Sequence, residues 1–241
     1  MQPCAPAESS PGFLYRIFRA TEEENRRVIL KMLDPDPAAR LLDLGCYDGQ
    51  LTRRLADKIG TSNISGVEVL PQAAEAARAR NIQTVEANLN GPIPLPSGAF
   101  DVVHANQVIE HLYDTDVFAS EIRRLLSPAG YAVISTNNLA SAHNILSLIF
   151  GRQPPPAHVS GQAIVGNGFN PLEGGKHANA AMAHLRIFSY VALREFLRYH
   201  GLHCEQYRTV GFYPLPIPIA RVATRLLPVY GAFLTCRVRR A

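Results

Sequence analysis

Between residues 40 and 136 the sequence alternates short apolar runs with stretches of helical pattern, and this rhythm limits the possible folds more than any other feature. Arg40–Leu44, Ile64–Val69, Ile82–Ala87, Phe100–Ala105 and Tyr131–Thr136 read as strands, being short and rich in branched apolar residues. Gln50–Ile59, Pro71–Arg80 (with proline at its start) and Asp116–Leu126 read as the helices between them, the last stopped by the segment SPAG. Strands without a polar face, separated by helices, imply a mostly parallel central sheet covered on both faces, an α/β fold. Ligands of such sheets bind beyond the carboxyl ends of the strands. The residues that follow each strand are therefore the ones to read for chemistry.

The flanks divide the chain further. Residues 1–20 are expected to be a flexible leader, with Thr21–Leu33 helical and its glutamates, Glu22 to Glu24, in the first turn. The segment DPDP, Asp34–Pro37, stops that helix, because each proline disfavours helix in the residue before it. The domain is expected to span residues 21–210. Leu139–Phe150 reads as a helix, and residues 151–183, rich in Gly, Pro, Asn and His, as a substrate-side insertion. Ser189–His200 is an amphipathic helix and Leu202–Val210 a late strand. Residues 211–241 read as a separate basic, apolar tail.

With 241 residues, 47% of them hydrophobic, the chain can bury a sizeable core, which excludes a disordered chain or a fibre. Cys4, Cys46, Cys204 and Cys236 lie far apart and form no CxxC pair, so neither a disulfide framework nor a metal site is expected, and a reducing, cytoplasmic setting is. The N-terminal dozen residues show neither the basic nor the apolar region of a secretory signal. No apolar run reaches the length of a membrane span. From Gly201 onward six arginines face one glutamate, which leaves the body near neutral and argues against a nucleic-acid partner.

Three strand ends carry the chemistry. After the first strand, Gly45 and Gly49 flank a tight turn with the spacing G-x-x-x-G, which lacks the close glycines of a dinucleotide pyrophosphate cradle. Glu68 ends the second strand, where a carboxylate can accept from both hydroxyls of a ribose, or can simply be solvated. Asn88 follows the third strand, placed to pair with an adenine edge or to make an ordinary turn.

The segments LLDLGCYDG, GVEV, EANL, FDVVHANQVIEHL and EIRRLLSPAGYAVIST, in this order from Arg40 to Thr136, resemble the class I S-adenosylmethionine-dependent methyltransferases. The likeness is to the small-molecule group typified by ubiquinone- and menaquinone-biosynthesis enzymes, with a weaker echo in HLRIFSYVALREFLRYHG. It implies a Rossmann-like fold with S-adenosylmethionine as cofactor. By this resemblance Asp43, Gly45, Cys46 and Gly49 surround the methionine part, and Glu68 holds the ribose. Val69 and Leu89 flank the adenine, Asn88 bonds it, and Asn106 and Gln107 line the sulfonium end. Tyr47 stands where the family usually has a third glycine, and Asn88 where it usually has aspartate. Tyr47 keeps a second reading open, a non-catalytic binding or partner subunit built on the same fold.

A hydroxyl acceptor gains from a base, and histidine suits that role near neutral pH. Of eight histidines, His184 and His111 are the candidates. His143, His158 and His177 read as loop residues and His104 as a core residue. The segment ANQVIEH lacks the motif of enzymes that methylate nucleobase amino groups, so a small-molecule, glycan or lipid-linked acceptor is expected, methylated at oxygen. The tail has two readings: its apolar face (Ile219, Val222, Ala223, Leu226) and its arginines attach to the inner face of a membrane, or the tail packs over the pocket or against a second copy.

Overall fold

The computed structural model describes residues 12–168, 170, 172–177 and 183–241. Seven strands form one sheet: β1 (Leu41–Leu44), β2 (Ile64–Glu68), β3 (Gln83–Glu86), β4 (Phe100–Asn106), β5 (Leu126–Asn137), β6 (Leu202–Val210) and β7 (Phe233–Arg240). Their order is β3-β2-β1-β4-β5-β7-β6. All pairings from β3 to β5 are parallel, whereas β7 runs antiparallel to both β5 and β6. The helices are α1 (Phe13–Lys31), α2 (Gln50–Ile59), α3 (Pro71–Arg78), α4 (Thr115–Leu125), α5 (Ala142–Ile149), α6 (Tyr190–Tyr199) and α7 (Ile217–Leu226).

The period-two geometry of a strand sends successive side chains into two separate cores. On one face Leu42 and Leu44 of β1, Val103 of β4 and Ile134 of β5 pack with Phe118 of α4 and Leu193 of α6. On the other, Leu41, Val102 and Val133 pack with Ile29 of α1, Leu55 of α2 and Ala77 of α3. Each strand carries apolar residues at consecutive positions because both of its faces are covered, which is the reason the five runs were legible. Helix α1 buries Ile17, Thr21, Asn25 and Ile29, one residue per turn, while its glutamates face outward to arginines.

The structure departs from the sequence reading in three places. Helix α1 begins at Phe13, not Thr21, so its glutamates lie within the helix, and only residues 1–11 of the expected leader fall outside the described residues. The SPAG segment ends α4 as expected but is itself the first part of β5, which starts at Leu126. Residues 211–241 are not an appended tail. Strand β7 is inserted between β5 and β6, and its arginines are absorbed there: Arg237, 5% exposed, donates to Asp34 at 2.6 Å, to Glu205 at 3.1 Å and to the carbonyl of Met32, while Arg239 pairs with Glu205. The guanidinium of Arg237 also lies 3.7 Å from the ring centre of Tyr131. Alternating arginines on FLTCRVRR look solvated in isolation; here acids from other parts of the chain pair with them.

Candidate active site

The turn after β1 is built from inside. Asp43, buried in the strand, accepts from the Thr52 hydroxyl at 2.5 Å and lies 2.7 Å from Nδ1 of His104, so its carboxylate is occupied by protein and anchors the turn. Gly45 and Gly49 both have positive φ, at 73° and 79°. A Cβ on Gly45 would stand 2.7 Å from Val108, and one on Gly49 would stand 2.4 Å from Ile82, so close packing of the turn itself demands both glycines. Tyr47 also takes a positive φ of 48°, and its amide donates to Glu68 at 2.8 Å. The Cys46 side chain turns into the core with α2 and α3, where burial pushes its thiol well up. Its backbone amide donates to the Val67 carbonyl at 3.1 Å and its carbonyl accepts from the Gly49 amide at 2.9 Å, so Cys46 braces the turn.

The expectation of a ribose site at Glu68 meets a more occupied residue. Its carboxylate accepts from the amides of Tyr47, Val69 and Leu70, which fixes it between the turn and the start of α3. A carboxylate offers about four acceptor positions, so three amides leave room for a hydroxyl. Val69 beside it is 52% exposed, an apolar side chain standing out from the strand end. Asn88 is exposed and spends its side-chain oxygen on the backbone and side-chain amides of Asn90, a local turn in which its own amide hydrogens have no partner among the described residues. Leu89 is packed into the core and lies under the strand end rather than in an open cleft.

At the end of β4, Asn106 accepts from Asn25 of α1, and Gln107, the next residue, accepts from Asn137 at 3.0 Å. The Gln107 amide nitrogen is buried without a partner among the described residues. Asn25 also reaches Ser135 and accepts from Thr235, which joins α1 to β5 and β7 through a buried polar network. Glu110, fully buried in the short 3-10 turn Ile109–His111, accepts from Thr136 at 2.8 Å and Asn137 at 3.1 Å. Burial pushes its carboxyl up to about 7. Sequence reading passed over Glu110 and Asn137; the same strand-end rule applied to β5 would have singled out Asn137.

His111 and His184 are brought together, their ring centres 4.8 Å apart. Nδ1 of His111 faces the Ala183 carbonyl at 3.2 Å, and Nδ1 of His184 faces the Pro156 carbonyl at 2.8 Å. A carbonyl only accepts, so each Nδ1 carries the hydrogen and each Nε2 is the bare nitrogen. Burial lowers both rings, His184 to about 3, which leaves them neutral at neutral pH. His158 stacks on His184 at 4.4 Å and accepts its backbone amide, and His177 lies 4.5 Å from His158, so these two belong to the same cluster rather than to open loop. His104, as expected, is a core residue, held by Asp43.

Beside this cluster lies a cavity of about 400 Å³ whose walls are mostly apolar, among them Phe18 of α1, Leu146 of α5, Phe150, Tyr213 and Phe233. Asn137 and His184 belong to both the cavity wall and the polar cluster at the strand ends. A seven-stranded sheet with this order and one antiparallel strand, a glycine turn after β1 and an acid after β2 form one constellation. Residues 15–207 match the model of a family described as a methyltransferase domain.

The chain belongs to the methyltransferase-domain family.

This methyltransferase-family chain is 29% identical over 155 residues to the trans-aconitate 2-methyltransferase of Methylobacterium radiotolerans, covering 62% of this chain and 60% of that protein. It is 32% identical over 106 residues to the 2-methyl-6-phytyl-1,4-hydroquinone methyltransferase of Synechocystis, covering 42% of this chain and 33% of that protein. The chain thus spans less than two thirds of either relative. The crystal structure of an S-adenosylmethionine-dependent methyltransferase from Mesorhizobium loti shares the fold, with a TM-score of 0.59 at 20% identity over 93% of this chain and 100% of that one. The cofactor of this family and fold is S-adenosylmethionine. The residues present fit it: an exposed apolar side chain at Val69, a fixed carboxylate at Glu68 and an unpartnered buried amide at Gln107 all lie at the strand ends.

Proposed function

We propose that this methyltransferase methylates a small or lipid-linked acceptor of largely apolar character at an oxygen atom. The observation that carries the reading is the apolar cavity meeting the polar strand-end cluster at His184 and Asn137. An apolar wall favours an aromatic or aliphatic acceptor over a glycan, because sugar hydroxyls buried there would lack partners. The likeness to a relative named for a phytyl hydroquinone supports an apolar-tailed hydroxyl compound.

The turn Gly45–Gly49, anchored by Asp43, would take the methionine part of the cofactor; Glu68, Val69 and Asn88 the adenosine; Asn106 and Gln107 the sulfonium end. When bound, S-adenosylmethionine supplies a methyl group on a sulfonium, a leaving group that needs no protonation. What remains for the chain is to hold the acceptor oxygen in line, an orientation effect of up to roughly 7–11 kcal/mol. With Nδ1 of each ring bonded to a carbonyl, the unprotonated Nε2 of His184 or His111 would take the acceptor's proton.

Calorimetric titration with S-adenosylmethionine and S-adenosylhomocysteine, with NAD as control, tests the cofactor. A screen of alkyl-substituted phenols and hydroquinones then tests the acceptor. His184→Gln is expected to lower kcat by roughly 100- to 1,000-fold with S-adenosylhomocysteine affinity unchanged. Leu146→Asp, on the half-exposed cavity wall, is expected to raise KM for apolar acceptors alone. A folded chain that binds neither adenosyl compound would favour the non-catalytic reading instead.

A further inference from the structure

We infer that Glu110, His111 and His184 form a three-ligand site for one divalent transition-metal cation, with its open positions toward the apolar cavity. One carboxylate oxygen and one nitrogen from each ring lie within 4.8 Å of one another. Ligand atoms around a zinc-type ion at about 2.0–2.1 Å sit about 3.3 Å apart, so the widest pair needs to close by at most about 1.5 Å.

Three further features point to a cation rather than to an ordinary packed cluster. First, both imidazoles direct Nδ1–H at backbone carbonyls, Ala183 and Pro156, which leaves Nε2 of each ring without a hydrogen and able to ligate. That is how outer hydrogen bonds orient histidine ligands. Second, Nε2 of His111 is buried and has no partner among the described residues. Third, Glu110 is a fully buried carboxylate whose side-chain partners, Thr136 and Asn137, are both neutral; no cationic side chain is paired with it among the described residues. A buried carboxylate in such surroundings requires either a proton or a positive charge. Its oxygens accept from Thr136 and Asn137, and a carboxylate's roughly four acceptor positions leave capacity for a cation.

Two imidazoles and one carboxylate are the donor set of zinc, iron, cobalt or manganese rather than of magnesium or calcium, which prefer all-oxygen shells. Three protein ligands leave open positions, and His184 and the Glu110 partner Asn137 line the cavity, so an acceptor hydroxyl entering there can coordinate. With both ring nitrogens committed to the cation, neither histidine serves as the base; the cation instead lowers the pKa of the acceptor oxygen bound to it, and the proton passes to water. The use of the open positions rests on the methyl-transfer reading; the cation site itself does not.

The full chain, stripped with a chelator, is titrated with Co2+ by absorption and with Zn2+ by calorimetry. The expected result is one Co2+ per chain, displaced by Zn2+, with affinity reduced at least about 100-fold in Glu110→Gln, His111→Gln and His184→Gln. His203→Gln, at an exposed position of β6, is expected to leave it unchanged. Each sample is also titrated with S-adenosylhomocysteine, so that lost metal binding in a chain that still binds the nucleoside is not lost folding. Cu2+ bound to the unaltered chain should show nitrogen hyperfine coupling from two imidazoles, a readout that needs no variant. A chain that binds S-adenosylhomocysteine but takes up no Co2+, or takes it up equally in the His111 and His184 variants, overturns the site. Metal uptake as expected without nucleoside binding keeps the site and overturns the methyl-transfer reading.

Discussion

Nδ1 of His104, in the middle of β4, stands 2.7 Å from Oδ1 of Asp43, at the third position of β1. Two residues that read separately as a cofactor ligand and a core histidine are one buried unit, completed by Thr52 of α2. Asp43→Ala removes the acceptor for both partners and leaves two buried polar groups unsatisfied, at a cost of about 3 kcal/mol. Thermal unfolding should show that loss, and calorimetry a weakening of S-adenosylhomocysteine binding by more than about tenfold, since the anchored turn begins two residues later. Unaltered affinity would mean that the turn holds its shape without the carboxylate.

Two glycines in the same left-handed conformation separate backbone strain from close approach. Gly49 and Gly60 have φ of 79° and 86°, but a Cβ on Gly60 meets nothing nearer than Pro37 at 3.8 Å. Gly60→Ala is therefore expected to cost about 1 kcal/mol. Gly49→Ala adds the collision with Ile82 and the backbone of Ala77, and should cost roughly 2–4 kcal/mol and abolish nucleoside binding. Equal unfolding midpoints for the two variants would count against the close packing of this turn.

The placement of β7 predicts unequal arginines. Arg237→Ala loses the guanidinium stacked on Tyr131, a hydrogen bond to the Met32 carbonyl and pairing with two acids, together about 2–4 kcal/mol. Arg221→Ala breaks only a surface pair with Glu24 and should leave the melting temperature unchanged. Were residues 211–241 a detached tail, neither variant would shift it.

Acid sensitivity has a named contributor. Asp101 accepts two hydrogen bonds from the Arg40 side chain, at 2.9 and 3.0 Å, and others from the Arg40 amide and the Ser127 hydroxyl. These hold its carboxyl well below the usual carboxylate range, the Arg40 side chain foremost. A depressed folded-state pKa contributes stability that is present above the unfolded value, about 3.9, and is lost as pH falls below it. Asp101→Asn should flatten the decline in unfolding free energy below about pH 4 and change little of its slope near neutrality. The same slope in both proteins below pH 4 would remove Asp101 from the account.

The part of the fold read correctly from the sequence is the part whose signal is local. β1, β2 and β4 are apolar at neighbouring positions because both faces of the sheet are covered, and turns and prolines mark the ends of α2, α3 and α4. The glycine turn, Glu68 and Asn88 were legible because they follow strands, where an α/β sheet places its ligands. The start of α1 was not, since its glutamates resemble a first turn until their arginine partners, Arg54 and Arg221, are known.

The sequence by itself thus determined the order of the elements from β1 to β6 and the strand ends at which a ligand is expected. The tertiary structure alone decided three matters. It placed β7 inside the sheet, pairing its charges with Asp34 and Glu205. It gave the Asp43 carboxylate to His104 and Thr52. And it brought His184 from beyond a long insertion against Glu110 and His111. The physical reason is common to all three. Periodicity and turn chemistry act between residues a few positions apart, whereas a buried charge or a bare ring nitrogen takes its meaning from partners 9 to 210 positions away, such as Thr52 for Asp43 and Thr235 for Asn25, which only folding supplies.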